Sequence, residues 1–121
     1  MFFRNEKSLK SHAYSQRPSW RYYYDDTDAI IYVVDSADRE RIDLAADELH
    51  LMLREEQLLN SVLLVFANKQ DLPGAMDEAE VSDALRLHSL RNRQWAIYRS
   101  SAIQGVGLTD GLDWLSNALS Q

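Results

Sequence analysis

Asn68, Lys69 and Asp71 lie together near the end of the stretch VLLVFANKQDLP, residues 62–73. An amide, an amine and a carboxylate in this order can read one flat ring. Guanine points its N1–H and its exocyclic amino group the same way, with the acceptor O6 beside them. One carboxylate can accept both hydrogens at once. Adenine lacks the N1 hydrogen and carries a donor in place of O6. A site built this way discriminates by about 10⁴ or more, because the wrong base leaves buried polar groups unpaired. Asp71 is the candidate carboxylate. The Lys69 stem can lie over the base while its ammonium stays in water, and Asn68 can tie the loop to its neighbours. Further along, Ser101 could brace the Asp71 loop. A backbone N–H at Ala102 could donate to O6, since a small residue there permits close approach. Asn, Lys and Asp after a strand are also ordinary turn residues. On these residues alone that plainer reading stays open.

Chemistry of this kind needs elements to hold it. Residues 29–34, AIIYVV, and 62–67, VLLVFA, are continuous apolar runs rich in branched side chains. Strands apolar on every residue are covered on both faces, as in a parallel sheet flanked by helices. Between them a helix is expected from about Asp38 to Glu56, with Ile42, Ala45, Ala46, Leu49, Met52 and Leu53 on one face. A shorter helix is expected from Asp77 to Leu87, with Asp77 as its N-cap and Glu80 three positions on. Residues 95–100, WAIYRS, read as a third strand, and Leu108, Leu112, Leu115 and Leu119 mark a last helix. Strand–helix alternation of this kind predicts a parallel α/β sheet. Ligands of such sheets bind beyond the carboxyl ends of the strands. That rule sets Asp35, the NKQD segment and Ser100-Ser101-Ala102 along one rim. Residues 17–24, RPSWRYYY, read as a short helix or turn, and residues 1–16 as irregular.

Composition excludes several classes. The chain has 121 residues, a formal net charge of −6 and no cysteine. That balance argues against general nucleic-acid binding, which needs clustered Lys and Arg. There is no disulfide framework or thiolate metal site. No apolar run approaches the ~20 residues that span a bilayer, and position 2 is not the Gly that N-myristoylation needs. His12, His50 and His88 have no ligand spacing, so no metal site is expected. Gly105, Gly107 and Gly111 follow the last strand and read as a turn and a helix-packing position, not a dinucleotide fingerprint. No Ser, His and Asp arrangement suggests a hydrolytic triad.

RPSWRYYYDDTDAIIYVVDSADRERI, LLVFANKQDLPGAM and SSAIQGVGLTDGLDWL together resemble the ADP-ribosylation factor and ADP-ribosylation-factor-like small GTPases. The likeness is closest to the Golgi-associated first Arf-like subfamily and covers about Arg17 to the C-terminus. It implies a small-GTPase fold, GTP or GDP with Mg²⁺ as ligands, trafficking effectors as partners, and a cytoplasmic, Golgi-associated protein. It also implies a guanine-binding role for Asn68, Lys69, Asp71, Ser101 and Ala102.

Other parts of that family's pattern are not found in this sequence. No stretch matches GxxxxGK[ST], whose N–H groups cradle phosphates and whose hydroxyl holds Mg²⁺. The switch-one threonine segment is missing. Counting back from Arg17, the Asp of the family's WDxGGQ element falls at Leu9, its glycines at Ser11 and His12, and its Gln at Ala13. The reading is therefore the C-terminal half of a P-loop small-GTPase fold. Residues 17–121 are a partial domain, residues 1–16 are unrelated to the family, and there is no catalytic residue, metal ligand or membrane anchor. Nucleotide binding is expected to be weak and GTP hydrolysis absent. Family strands 4, 5 and 6 would be kept, and strand 1, which covers one edge of AIIYVV, would be lost. That edge would be open to pairing with another chain. The alternative is a non-enzymatic interaction fragment, or a defective gene product, with no nucleotide binding.

Overall fold

The computed structural model describes residues 2–3, 27–91, 93–101 and 107–120. Strands β1 (Phe2–Phe3), β2 (Ala29–Asp35), β3 (Val62–Asn68) and β4 (Trp95–Arg99) form one sheet in the order β1-β2-β3-β4. Strands β2, β3 and β4 run parallel, with Ile30 opposite Leu63 and Leu63 opposite Trp95. Helix α1 (Ile42–Leu53) connects β2 to β3, α2 (Glu78–Ala84) lies between β3 and β4, and α3 (Leu108–Leu119) follows β4.

The continuous apolar runs are explained by two cores. One face of the sheet turns Ile30, Val34, Leu63, Val65 and Ala67 toward Ala46, Leu49 and Leu53 of α1 and Val81 of α2. The other turns Ala29, Ile31, Val62, Leu64 and Phe66 toward Leu115 of α3. Successive strand residues point to opposite faces, so a strand buried on both sides has no polar alternation. Every residue of β3 from Val62 to Ala67 is buried.

Local chemistry sets the helix ends. Asp77 accepts from the Glu80 backbone N–H at 2.8 Å, and the Glu80 side chain accepts from the Asp77 backbone N–H. This closes the expected capping box. Helix α1 is shorter than the span 38–56, because Asp35 and Asp38 organise turns ahead of it. Asp35 Oδ1 accepts from the Ala37 N–H, and Asp38 Oδ1 from the Arg41 N–H. A separate 3₁₀ turn follows at Glu56–Leu58.

One further reading is corrected. The outer edge of β2 is not wholly open, because Phe2 and Phe3 pair antiparallel with Ile30 and Ala29. Residues 1–16 are to that extent not irregular. The expected last helix is present as α3, and its four leucines do not share one environment. Leu115 is buried, but Leu108, Leu112 and Leu119 are exposed, and Gly111, Trp114 and Ala118 complete the packed side. The reading of RPSWRYYY falls outside the described residues, as does Ala102.

Candidate functional site

The carboxyl ends of β2, β3 and β4 carry Asp35, Asn68–Asp71 and Ser100–Ser101 to one rim. The parallel ladder extends past the strands, with Ser36 N–H donating to Asn68 O and Ser100 N–H to Ala67 O. The Gln70 N–H then donates to Ser100 O at 3.1 Å, which joins the two loops directly.

Within this frame Ser101 Oγ donates to Asp71 Oδ1 at 2.8 Å. Among the described residues no group donates to the second oxygen of Asp71. Asn68 Oδ1 accepts from Ser100 Oγ at 3.3 Å. Lys69 Nζ donates to Asp35 Oδ2 at 2.8 Å. The hydrogen bond from Lys69 holds the Asp35 carboxyl below the usual carboxylate range, and the same bond raises the Lys69 ammonium above its ordinary value. Lys69 is also in the left-handed backbone region, at φ 65°. For a residue with a Cβ this costs about 1–2 kcal/mol. Strain of this kind collects where a loop is held for function.

The loop after Asp71 is fastened at several points. Gln70 Nε2 donates to Met76 O at 2.7 Å, and the Met76 N–H donates to Ser36 O at 2.8 Å. Arg39 donates to Gly74 O at 3.1 Å and to Glu80 Oε2 at 3.0 Å, linking the loop to the start of α2. Gly107, at φ 88°, closes the turn into α3. A Cβ there would overlap the Arg99 carbonyl oxygen.

Asn68, Lys69, Asp71 and Ser101 are thus brought together on one rim, while Ala102 lies outside the described residues. The sequence reading placed Asp35 on the rim but missed it as the partner of Lys69. Its signal was the carboxylate ending the first strand. Arg39 was missed outright, and nothing in its local sequence marks a contact 35 positions away. Among the described residues no group of three or more His, Asp or Glu could hold a metal ion. No described helix is long and apolar enough to cross a membrane.

Comparison with known proteins agrees with this architecture. The chain is 57% identical over 105 residues to ADP-ribosylation factor 1 of Brassica rapa subsp. pekinensis. It is 56% identical over 107 residues to ADP-ribosylation factor-like protein 1 of Saccharomyces cerevisiae. These alignments take in 87% and 88% of this chain but 58% of each relative, so the chain spans somewhat over half their length. Among solved structures it resembles the Arl6 BBS3 small GTPase of Trypanosoma brucei, with a TM-score of 0.80 and 34% identity, over 84% of this chain and 64% of that one. The ADP-ribosylation factor family pattern matches residues 13–119. By sequence and by fold, the chain belongs to the ADP-ribosylation factor family.

Proposed function

We propose that the rim formed by β3 and β4 binds the guanine base of a nucleotide. Asp71 takes the N1 and N2 hydrogens and Lys69 lines a face of the ring. Asn68 and Ser101 hold the loop, and the Ala102 N–H donates to O6. The Ser101–Asp71 hydrogen bond at 2.8 Å carries this reading. It orients the carboxylate through one lone pair and leaves acceptor capacity on both oxygens. The Trypanosoma brucei relative was solved with the nucleotide analogue GppNp, which supports the ligand class.

Affinity is a separate matter. These 121 residues contain no GxxxxGK[ST], and no described cluster fits Mg²⁺. Base recognition without a phosphate grip gives weak, selective binding and no hydrolysis of GTP by this chain. The family-like part in this reading runs from about residue 13, where the family match begins, through the last helix. Family likeness also supports a role with trafficking effectors at the Golgi.

Titration of the labelled chain with guanosine, followed by the amide signals of Lys69, Asp71 and Ser101, tests the base site. Guanosine shifts these signals and adenosine does not. Asp71→Asn moves the preference toward xanthosine, whose C2 carbonyl meets the new amide donor. A guanine preference unchanged in that variant removes Asp71 as the base reader, and tight GDP binding by the chain contradicts the weak-affinity reading.

A second reading rests on the outer edge of β2. It pairs with β1 at Ala29 and Ile30, and further along the strand Val33 is 58% exposed. Such an edge supports pairing with a second copy of the chain.

A further inference from the structure

A cleft of about 410 Å³ opens at the other end of the sheet, beside the turns that lead into β3 and β4. Leu53, Leu59 and Leu90 form its apolar part, and Arg54, Arg91 and Arg93 its charged part. Its volume falls within the range of small-molecule sites, about 300–1,000 Å³.

The arginines are not a random sample of the surface. The described residues include eight Lys and Arg side chains: Arg39, Arg41, Arg54, Lys69, Arg86, Arg91, Arg93 and Arg99. Five of them, Arg39, Arg41, Lys69, Arg86 and Arg99, are in ion pairs. The remaining three are Arg54, Arg91 and Arg93, and all three line this one cleft. The chain as a whole carries a net charge of −6. Such a protein has ample carboxylates, yet none among the described residues lines the cleft. Like charges gathered in a concave site focus a positive potential.

Arg93 is partly committed. It donates to the carbonyls of Leu58, Ser61 and Leu53 at 2.7, 2.6 and 3.3 Å. These bonds fix its guanidinium at the floor. Arg91 makes short-range bonds to His88 O and Leu90 O through one nitrogen, and Arg54 makes no side-chain hydrogen bond among the described residues. His50 donates to Leu85 O at 2.8 Å in one tautomer, which holds its ring beside the cleft.

We propose that this cleft is a binding site for a phosphomonoester carried on an apolar body. Planar guanidinium forks match the paired oxygens of a phosphate, and the leucines cover the adjoining carbon. The phosphate could reach the cleft on a soluble molecule or as a lipid headgroup. The site lies at the opposite ends of the strands from the guanine rim and goes beyond that reading.

The test is titration of the full chain with inorganic phosphate and with phenyl phosphate, read on the arginine Nε–Hε signals. Saturable shifts of Arg54 and Arg91 are expected, with phenyl phosphate binding more tightly than phosphate because of the leucines. The double variant Arg54→Gln, Arg91→Gln loses about tenfold or more in affinity. Its amide spectrum stays folded, since Arg93 keeps the backbone ties, and its response to guanosine is unchanged. Retention on phosphatidylcholine vesicles only when they contain phosphatidic acid, lost in the double variant, assigns the lipid source. Phenyl phosphate binding without retention assigns the soluble one. No saturable shift, equal shifts in the double variant, or an equal response to chloride overturns the proposal. A response to a poly-glutamate peptide but to neither phosphate also overturns it, in favour of an acidic protein partner.

Discussion

Lys69 and Asp35 meet at 2.8 Å with 50% and 40% of their side chains in water. An exposed pair of this kind adds little to stability and is weakened by salt. Its value is positional, because it directs the lysine stem along the rim beside Asp71. The signs follow from the two shifts. The lowered Asp35 carboxyl contributes stability above its unfolded pKa and loses it as pH falls through the folded value. The raised Lys69 ammonium contributes below its unfolded pKa and loses it as pH rises through the folded value. The pair is therefore intact across the neutral range and fails at both extremes. Lys69→Met should raise the Asp35 titration midpoint toward the ordinary carboxylate value, measured by carboxyl ¹³C shifts. An unmoved midpoint would mean that the pair does not persist in solution.

At the scale of elements, α3 shows how one small residue sets a packing face. A Cβ on Gly111 would lie 2.5 Å from the Phe66 ring, and Phe66 is only 3% exposed. The helix sits close to the sheet because that Cβ is missing. Its packed side is therefore centred near Gly111, Trp114, Leu115 and Ala118 and turns away from the row of leucines. Gly111→Ala gains up to about 1 kcal/mol of helix propensity. Overpacking against Phe66 removes about 1–3 kcal/mol, so the net expected change in urea denaturation is a loss of up to about 2 kcal/mol. A stabilised variant would show that Phe66 has room to turn aside.

At the scale of the whole molecule, the described sheet runs from the two-residue β1 at one border to β4 at the other. Strand β3 is paired along both sides, whereas β2 meets the two-residue β1 at Ala29 and Ile30 and leaves Val33 58% exposed. Lysine on an exposed edge strand discourages pairing between chains. Size-exclusion chromatography of the chain should show an elution volume that falls as concentration rises, and Val33→Lys should remove that dependence. The same elution behaviour in both proteins would place any association elsewhere, with the exposed leucines of α3 the next surface to vary.

The apolar runs, the Asp77 cap and the spacing of α1 were legible in the sequence. Periodicity and capping are local, and each depends on residues within a few positions. The alignment of Asp35, Asn68–Asp71 and Ser101 on one rim was also legible, because parallel strands put their carboxyl ends on one side. What sequence spacing could not decide depended on contacts between distant residues. Leucines at positions 108, 112, 115 and 119 look like an inner face until a glycine brings the helix against Phe66. Phe2 and Phe3 gave no signal of pairing with β2, since a two-residue strand has no period of its own. The three arginines outside the ion pairs of the described residues come from the end of α1 and the approach to β4, and only the folded chain brings them to one cleft.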